Sequence, residues 1–520
     1  MGNVRVHPLL KEIAALFTGR GKRLYLVGGA VRDMLRGRPA HDWDLATDAR
    51  PEEVMAIFRN TRPPSHVIPT GIKHGTVTVH YRSSGGGSEK KGTGDADGAA
   101  GKRAGAGRAG VPYTELEITT FRTESGYLDG RRPENVAFAS SIEEDLSRRD
   151  FTMNAAAVRL PGGEIVDPFG GKADIQRRII RCVGKAAERF AEDGLRPLRA
   201  VRFAAQLGFT VDRETLDAAR GALGVTAKVS AERVRDELDK ILASGTEAAG
   251  TATPETAAGG REMAGTEAVR PSTAFRLMEE TGLLRLILPE LADCRGVEQK
   301  GYHRFDVLDH SLLACDYASK EGWPREVILA ALLHDTGKPL TAAGPYKGED
   351  EKREWTFYRH EKESSRLARG ILTRLRYPNA VIDAVCRLIE EHMFHYDESW
   401  SAAAVRRFII RTGEENLENL YRLRRADAFA AEGTERGAAF LLPLAERVNR
   451  ALAEREALSL KDLAVSGKDL VEAGIRPGKT MGIILKELFE TVIDDPESNS
   501  REKLLEIAAN LARRYSSSAS

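Results

Sequence analysis

The stretch Leu24–Thr47, LYLVGGAVRDMLRGRPAHDWDLAT, restricts what this chain can fold into more than any other. A short apolar run, Leu24 to Val27, stops at Gly28-Gly29. An amphipathic segment from about Ala30 to Arg36 follows, and Gly37 and Pro39 end it. The pattern predicts a strand, a glycine turn, a helix and a second strand carrying Asp42 and Asp44. In a strand, residues i and i+2 share a face, so these two carboxylates stand side by side while Trp43 and Leu45 turn to the core. Adjacent carboxylates repel, and burying them unpaired is costly. A divalent cation removes that penalty, and hard oxygen ligands at this density suit Mg²⁺ together with substrate phosphates. Gly28 and Gly29 let backbone N–H groups reach a phosphate that a side chain would fend off. Arg32 adds positive charge beside them. A phosphate cradle and metal-binding carboxylates in one short unit point to nucleotidyl transfer.

GGAVRD followed by DWDLAT resembles the first motif of the class II tRNA nucleotidyltransferase and bacterial poly(A) polymerase family. Further along, PEEVMAIF (51–58) predicts a helix opened by Pro51. Val77 and Val79 alternate with Thr76, Thr78 and His80, which predicts a strand. A partner strand over 113–122 alternates Glu115 and Glu117 with Leu116 and Ile118. Between them, residues about 83–111 are Gly, Ala and charge without apolar period, which predicts a disordered insertion inside one hairpin. Either glutamate could complete a three-carboxylate metal site, and the resemblance picks Glu117. Residues 123–138 carry Gly126, Gly130 and Pro133 and predict a mobile loop. DGRRP there resembles the family's flexible loop, whose presence favours a CCA-adding or A-adding enzyme over a CC-adding one.

In SIEEDLSRRDFTMNAAAV (141–158), Ser141 with Glu144 three later predicts a capped helix. Arg149, Asp150 and Asn154 then face a site: arginine can hold triphosphate oxygens, and Asp or Asn can take ribose hydroxyls. RRDFTMNA matches the family's second motif. In EDGLRPLRAVRF (192–203), helical projection groups Glu192, Arg196 and Arg199, with Asp193 and Arg202 to either side. Pro197 suits a first helical turn, which would leave Asp193 as a cap. The resemblance implies that Asp193 and Arg196 pair with the edge of the incoming base and that Arg199 and Arg202 also bind the nucleotide.

Six of the 11 histidines lie between residues 303 and 395. His310, His334-Asp335, His360, His392 and Asp427 follow the order H…HD…H…H…D, which resembles the HD metal-dependent phosphohydrolase family. Imidazole and carboxylate groups on separate helices can converge on a transition metal. Downstream, RPGKTMGIILKELFETVIDD (476–495) predicts an amphipathic helix with a basic start that either faces RNA backbone or is simply solvated.

At 520 residues the chain needs several cores. Its formal net charge of +1 leaves nucleic-acid binding to a local basic face. The 4 cysteines form no CxxC, which argues against a disulfide framework and fits a reducing cytoplasm. No signal peptide or membrane-length apolar run is present in the sequence. Taken with the resemblance, the expected fold is α+β: a small mixed-sheet nucleotidyltransferase head followed by a mostly helical neck and body with an HD-type domain. The expected divisions are a head over 1–165, a neck over 166–243, a low-complexity linker over 244–271 and a helical connector over 272–304. An HD domain over 305–430 and an RNA-binding tail over 431–520 complete them. The resemblance implies addition of C, C and A from CTP and ATP to the 3′ end of tRNA, with release of pyrophosphate by a two-metal mechanism: Asp42 and Asp44 hold two Mg²⁺ ions, one activating the RNA 3′-hydroxyl and one on the triphosphate, and Glu117 completes the carboxylate set. The same motifs serve poly(A) polymerases and enzymes adding only A or only CC. From another class, an HD phosphohydrolase with a nucleotide-binding head also fits.

Overall fold

The computed structural model describes residues 3–40, 43–59, 61, 63–71, 75–82, 113–127, 133–245, 269–299, 305–347, 353–454 and 459–517. They form two compact units. Among the described residues, the first runs to Val234 and takes in Glu280–Leu283, and the second holds the rest.

The first unit is built on β1 (Leu24–Val27), which is buried along its whole length. Among the described residues it lies inside a seven-stranded sheet of order β3-β4-β5-β2-β1-β8-β9. The others are β2 (Asp44–Thr47), β3 (His66–Gly71), β4 (Thr76–Tyr81), β5 (Thr114–Thr120), β8 (Ala157–Leu160) and β9 (Glu164–Val166). Both sheet faces are covered, which is why β1 is continuously apolar rather than alternating. Leu24 and Leu26 join Leu45, Val77, Leu116 and Ile118 on one face, where α1 (Pro8–Thr18) adds Ile13 and Phe17. Tyr25 and Val27 join Ala46, Phe121, Ile142 and Leu146 on the other. The glycine turn leads into α2 (Gly29–Leu35), and Pro51 opens α3 (Pro51–Phe58).

β4 and β5 pair antiparallel, as the hairpin reading requires, and Leu116 and Ile118 are buried while Glu115 and Glu117 are exposed. The expected insertion at 83–111 lies outside the described residues, as does Asp42. The expectation of an irregular loop over 123–138 is corrected at its two flanks. Arg122–Tyr127 (β6) and Pro133–Phe138 (β7) form an antiparallel ladder, from Arg122 opposite Phe138 to Tyr127 opposite Pro133. Thr123, Tyr127, Val136 and Phe138 carry enough strand preference to close it despite Gly126 and Pro133. Residues 128–132 lie outside the described set.

Ser141 caps α4 (Ile142–Ser147), its hydroxyl accepting from Glu144 N–H; the Glu144 carboxylate reaches back to Ser140 N–H, one residue earlier than a reciprocal box needs. α5 (Gly171–Arg177) leads on to α6 (Ala186–Glu192) and α7 (Arg196–Leu207). The single projection over 192–202 therefore fails at Gly194. A Cβ there would sit 2.6 Å from the Val225 carbonyl oxygen, so the chain passes close to other backbone where no side chain fits. Arg196 and Pro197 open the second helix, as proline's fixed φ favours.

The second unit is mostly helical. Helices Val307–Lys320, Arg325–Leu333, His360–Arg374, Asn379–Glu391 and Glu414–Glu432 enclose one polar cluster in an apolar surround. Farther on, helix Lys479–Asp494 packs Met481, Ile484, Leu488 and Val492 against Leu504 and Ala508. Its apolar stripe is thus used within the fold, while Arg476 and Lys479 stay exposed.

Candidate functional site

The first site grows from one row of the sheet. Val27, the last residue of β1, pairs antiparallel with Asp44, and Asp44 pairs in parallel with Glu117. Partners in register point to the same face, so the Gly28 turn, the Asp44 carboxylate and the Glu117 carboxylate stand in line. Glu115, two residues away on the same strand, pairs with His80 on β4 and is not in this row. Register therefore makes the choice that alternation left open. Although Glu117 reaches solvent, partial desolvation against the sheet, and then the neighbouring charges of Asp44 and Glu115, raise its carboxyl above its ordinary value. That is the electrostatic state of a carboxylate pair that a cation would relieve.

Gly28 has φ +71°, and a Cβ built on it would lie 3.2 Å from Asp44 Oδ2 and 3.3 Å from Arg149 Nη1. The glycine thus separates a carboxylate from a guanidinium with no room for a side chain. Arg32 donates to Asn154 Oδ1 at 3.1 Å and forks onto Asp33. Asn154 donates to Asp150 Oδ1 at 3.3 Å. Asp150 Oδ2 accepts from Arg199 Nε and Nη2 at 2.9 and 2.7 Å. Burial opposes the charge on Asp150, but Arg199 overrides it and pulls the carboxyl down to about 2. Arg32, Arg199 and Arg202 all lie against the Phe203 ring, at 5.5, 5.4 and 3.9 Å. Sequence reasoning missed Asp145, which is buried and ties Arg148 and Arg149 at 2.9 and 3.3 Å. The signal was its i, i+3 and i+4 spacing to the two arginines.

Asp193 and Arg196 are neighbours in the turn between α6 and α7 but do not share a side-chain bond. The expectation that Asp193 caps the Pro197 helix is corrected: the N-cap of α7 is Leu195, without a side-chain bond, and Asp193 closes α6 instead. Asp193 Oδ1 accepts from Leu195 N–H in the turn, and Oδ2 accepts from Arg233 at 2.8 Å. Arg196 is buried, donating to Glu192 at 2.7 Å and to the Arg189 and Arg148 carbonyls at 2.9 and 3.0 Å.

The second site brings together all six residues that the H…HD…H…H…D order singled out. His310 Nε2 lies 3.2 Å from His334 Nε2, 3.1 Å from Asp427 Oδ1 and 3.5 Å from Asp335 Oδ2. His334 Nε2 lies 3.2 Å from Asp335 Oδ2. His360 Nε2 lies 3.2 Å from Asp335 Oδ1, and the His392 ring packs on those of His334 and His360. Nδ1 of His334, His360 and His392 meets the carbonyl of Ala331, Phe357 and Ile389 respectively. A carbonyl only accepts, so each Nδ1 carries a hydrogen and Nε2 is the atom turned inward, the one a metal would take from the neutral ring. Burial opposes charge on His334, but Asp335 and Asp427 override it and raise the ring to about 10, so the cluster without a metal holds a proton there. Asp335 Oδ1 and His360 Nε2 are buried without a hydrogen bond. Burial and the nearby His334 charge push His392 down to about 3, so it is held neutral. Lys338, which sequence reasoning missed although it follows Asp335 by one helical turn, donates to Asp335 Oδ2 at 2.7 Å.

Comparison with known proteins agrees with both the fold and the first motif. The poly A polymerase head domain matches residues 24–86 and 95–181, and a second domain of tRNA nucleotidyltransferases matches 346–508. An RNA and SrmB binding site of polymerase A matches 208–252. A CCA-adding enzyme of Lactobacillus johnsonii is 45% identical over 234 residues; that match spans 45% of this chain and about half, 48%, of the relative. Other matches run nearly end to end. The CCA-adding enzyme of Geobacillus stearothermophilus is 33% identical over 93% of this chain and 92% of its own. That of Latilactobacillus sakei is 31% identical over 96% of both. The crystal structure of Bacillus stearothermophilus CCA-adding enzyme in complex with CTP superposes at a TM-score of 0.64 with 29% identity, covering 99% of this chain and 100% of the other. No described helix is long and apolar enough to cross a membrane. With near full-length relatives above 30% identity and the glycine–carboxylate row in place, the chain belongs to the CCA-adding enzyme family.

Proposed function

We propose that this protein adds C, C and A to the 3′ end of tRNA from CTP and ATP, releasing pyrophosphate. The observation that carries the reading is the row of Gly28, Asp44 and Glu117 beside Arg149, in a chain whose end-to-end relatives are CCA-adding enzymes. Asp44 and Glu117 fit a divalent cation: they are paired in register, and Glu117 holds its proton more tightly than usual. With Asp42 they would hold Mg²⁺, which when bound stabilises negative charge on the triphosphate and on the RNA 3′-oxygen. Gly28 and Gly29 offer backbone N–H groups at close approach, and Arg32 and Arg149 neutralise phosphate oxygens. Asp150 and Asn154, cross-linked to Arg199 and Arg32, set the spacing of those guanidiniums and can take ribose hydroxyls. Asp193 and Arg196 select the base, which requires Arg196 to exchange bonds it now makes with Glu192 and two carbonyls. Incubating the protein with tRNA lacking its 3′ end and each labelled nucleoside triphosphate tests this. Sequential C, C, A incorporation supports it; long A tails or a single A would select a poly(A) or A-adding enzyme instead.

A second reading concerns the histidine cluster. His310, His334, Asp335 and Asp427 hold a transition-metal ion, favoured by their buried convergence and inward-turned Nε2 atoms. The site lies in the second unit and is independent of nucleotidyl transfer. Metal analysis of the purified protein tests it.

A further inference from the structure

We infer that the first unit carries a separate binding site for a nucleoside monophosphate, on the sheet face opposite the Asp44–Glu117 row. Its base lies against Trp43 and its phosphate between Arg5 and Arg38. The site goes beyond nucleotidyl transfer and does not depend on it.

Neighbouring residues of a strand face opposite sides of the sheet. Asp44 stands in line with Glu117, whereas Leu45 is buried in the apolar cluster of the other face, and Trp43 packs against that cluster. On that face a cavity of about 360 Å³ opens between the segment entering α1, the end of α2 and the turn that follows it. Small-molecule pockets run from roughly 300 to 1,000 Å³, so this one suits a mononucleotide rather than a longer chain. Its walls are largely apolar, with Met34 and Pro39 among them. The rings of His7 and Trp43 stand 4.9 Å apart at 47°, so two flat aromatic surfaces meet in the lining. A flat base is the body such a surface takes, and stacking on indole accepts any base because each has a π-face.

The polar side chains decide the charge of the occupant. Arg5, His7, Arg38 and Trp43 line the cavity, and among the described lining residues none is acidic. Arginine and tryptophan side chains only donate. Nδ1 of His7 accepts from Leu9 N–H at 3.2 Å, so the ring hydrogen is on Nε2 and His7 also donates, neutral or protonated. Each of these four polar groups is therefore a donor, and the two arginines are permanently charged and exposed. The complement is an anion that only accepts. A phosphate monoester has three acceptor oxygens and a charge of about −1.5 to −2, and it matches the guanidinium fork. Phosphate alone would leave the aromatic wall uncovered, and a nucleoside alone would leave the guanidiniums without a counter-charge. A triphosphate brings Mg²⁺, which wants carboxylate ligands, and the described lining offers none. A monophosphate joined to a base uses both halves of the cavity.

The test is fluorine NMR of full-length protein labelled with 5-fluorotryptophan. The chain has 4 tryptophans, and Trp43→Phe assigns the signal from the cavity. AMP added without divalent metal should shift the Trp43 signal saturably and leave those of Trp323, Trp355 and Trp400 in place. Its affinity should fall at least tenfold in Arg5→Gln and in Arg38→Gln, with thermal melts confirming that both fold. Adenosine and inorganic phosphate should each bind at least tenfold more weakly than AMP. An unmoved Trp43 signal would overturn the site. A shift kept at full affinity in both arginine variants would also overturn it, by assigning the bound AMP to the nucleotidyl site. Phosphate as tight as AMP would reduce the cavity to an anion site, and adenosine as tight as AMP to an apolar slot; either overturns the nucleotide assignment. Incorporation of C, C and A is a separate assay, so each of these failures leaves the proposed function standing.

Discussion

Gly28→Ala separates the cost of a backbone conformation from the cost of crowding the site. At φ +71° and ψ −138°, alanine adopts a region open essentially to glycine, at about 1–3 kcal/mol. A domain stable by about 5–15 kcal/mol remains folded under that load. The new methyl meets Asp44 Oδ2 at 3.2 Å and Arg149 Nη1 at 3.3 Å, distances tighter than ordinary contact. Both neighbours are side-chain tips, so they yield by a few tenths of an ångström rather than forcing the strand apart. Displacing in opposite directions the carboxylate proposed to hold Mg²⁺ and the guanidinium proposed to hold phosphate should lower the chemical step by roughly 10–100-fold, since 1 Å of misplacement is worth about 10². Gly170→Ala is the control: its φ is +73°, and a Cβ there meets nothing within 4 Å. It should lose about 1–2 kcal/mol of stability and no activity. Single-turnover incorporation of labelled CMP onto tRNA lacking its 3′ end, with urea melts of both variants, gives the two numbers. Wild-type rates in Gly28→Ala, or equal rate losses in the two variants, would refute the reasoning.

Other outcomes follow from the same geometry. Asp44→Asn should cut nucleotide incorporation more than about a hundredfold while the protein stays folded, because a metal ligand worth several kcal/mol is gone; substantial Mg²⁺-dependent activity would exclude the assignment. In that variant without metal, carbon-13 NMR should find the Glu117 carboxyl moved down toward its ordinary value, since one of the charges raising it is removed. Asp150, at about 2 in the fold, is depressed below its ordinary 3.8, so its stabilisation of about 2 kcal/mol is present above pH 4 and lost as pH falls toward 2. Asp150→Asn should therefore destabilise strongly at pH 7 and little at pH 2.5, and urea melts giving the same difference at both would contradict the Arg199 pairing. Arg196→Ala should narrow discrimination among CTP, ATP, UTP and GTP in competition assays, whereas a uniform loss for all four would assign Arg196 to the support of α7.

What could be read in advance was local. Leu24–Val27, Pro51–Phe58 and the alternation around Glu117 are short-range patterns of apolar spacing and turn residues, and they appear in the fold where expected. What could not be read depends on pairing between distant segments. Only the parallel register of β2 with β5 distinguishes Glu117 from Glu115. The break at Gly194 comes from backbone passing 2.6 Å away, a contact invisible to a helical projection. The Asp193–Arg233 and Asp150–Arg199 bonds join residues 40 and 49 apart in sequence. In 123–138, counting Gly126, Gly130 and Pro133 outweighed the β-forming residues that actually set the ladder. The histidine cluster was legible because its order of residue types is itself long-range information.

The β4–β5 hairpin carries a consequence for chain entropy. Its ladder runs in unbroken register from Thr76 opposite Thr119 to Tyr81 opposite Thr114, although residues 82 to 113 intervene. Closing a connection of about 32 residues instead of about 4 is three doublings of length, or roughly 2 kcal/mol. The buried pairs Val77–Ile118 and Val79–Leu116 lie in the sheet's apolar cluster and offset that easily. The hairpin end at Tyr81–Thr114 is also three residues, about 10 Å, up the strand from Glu117. Chain length can therefore change there with little effect on the carboxylate row, which makes this turn the natural place to shorten the protein or to insert a reporter.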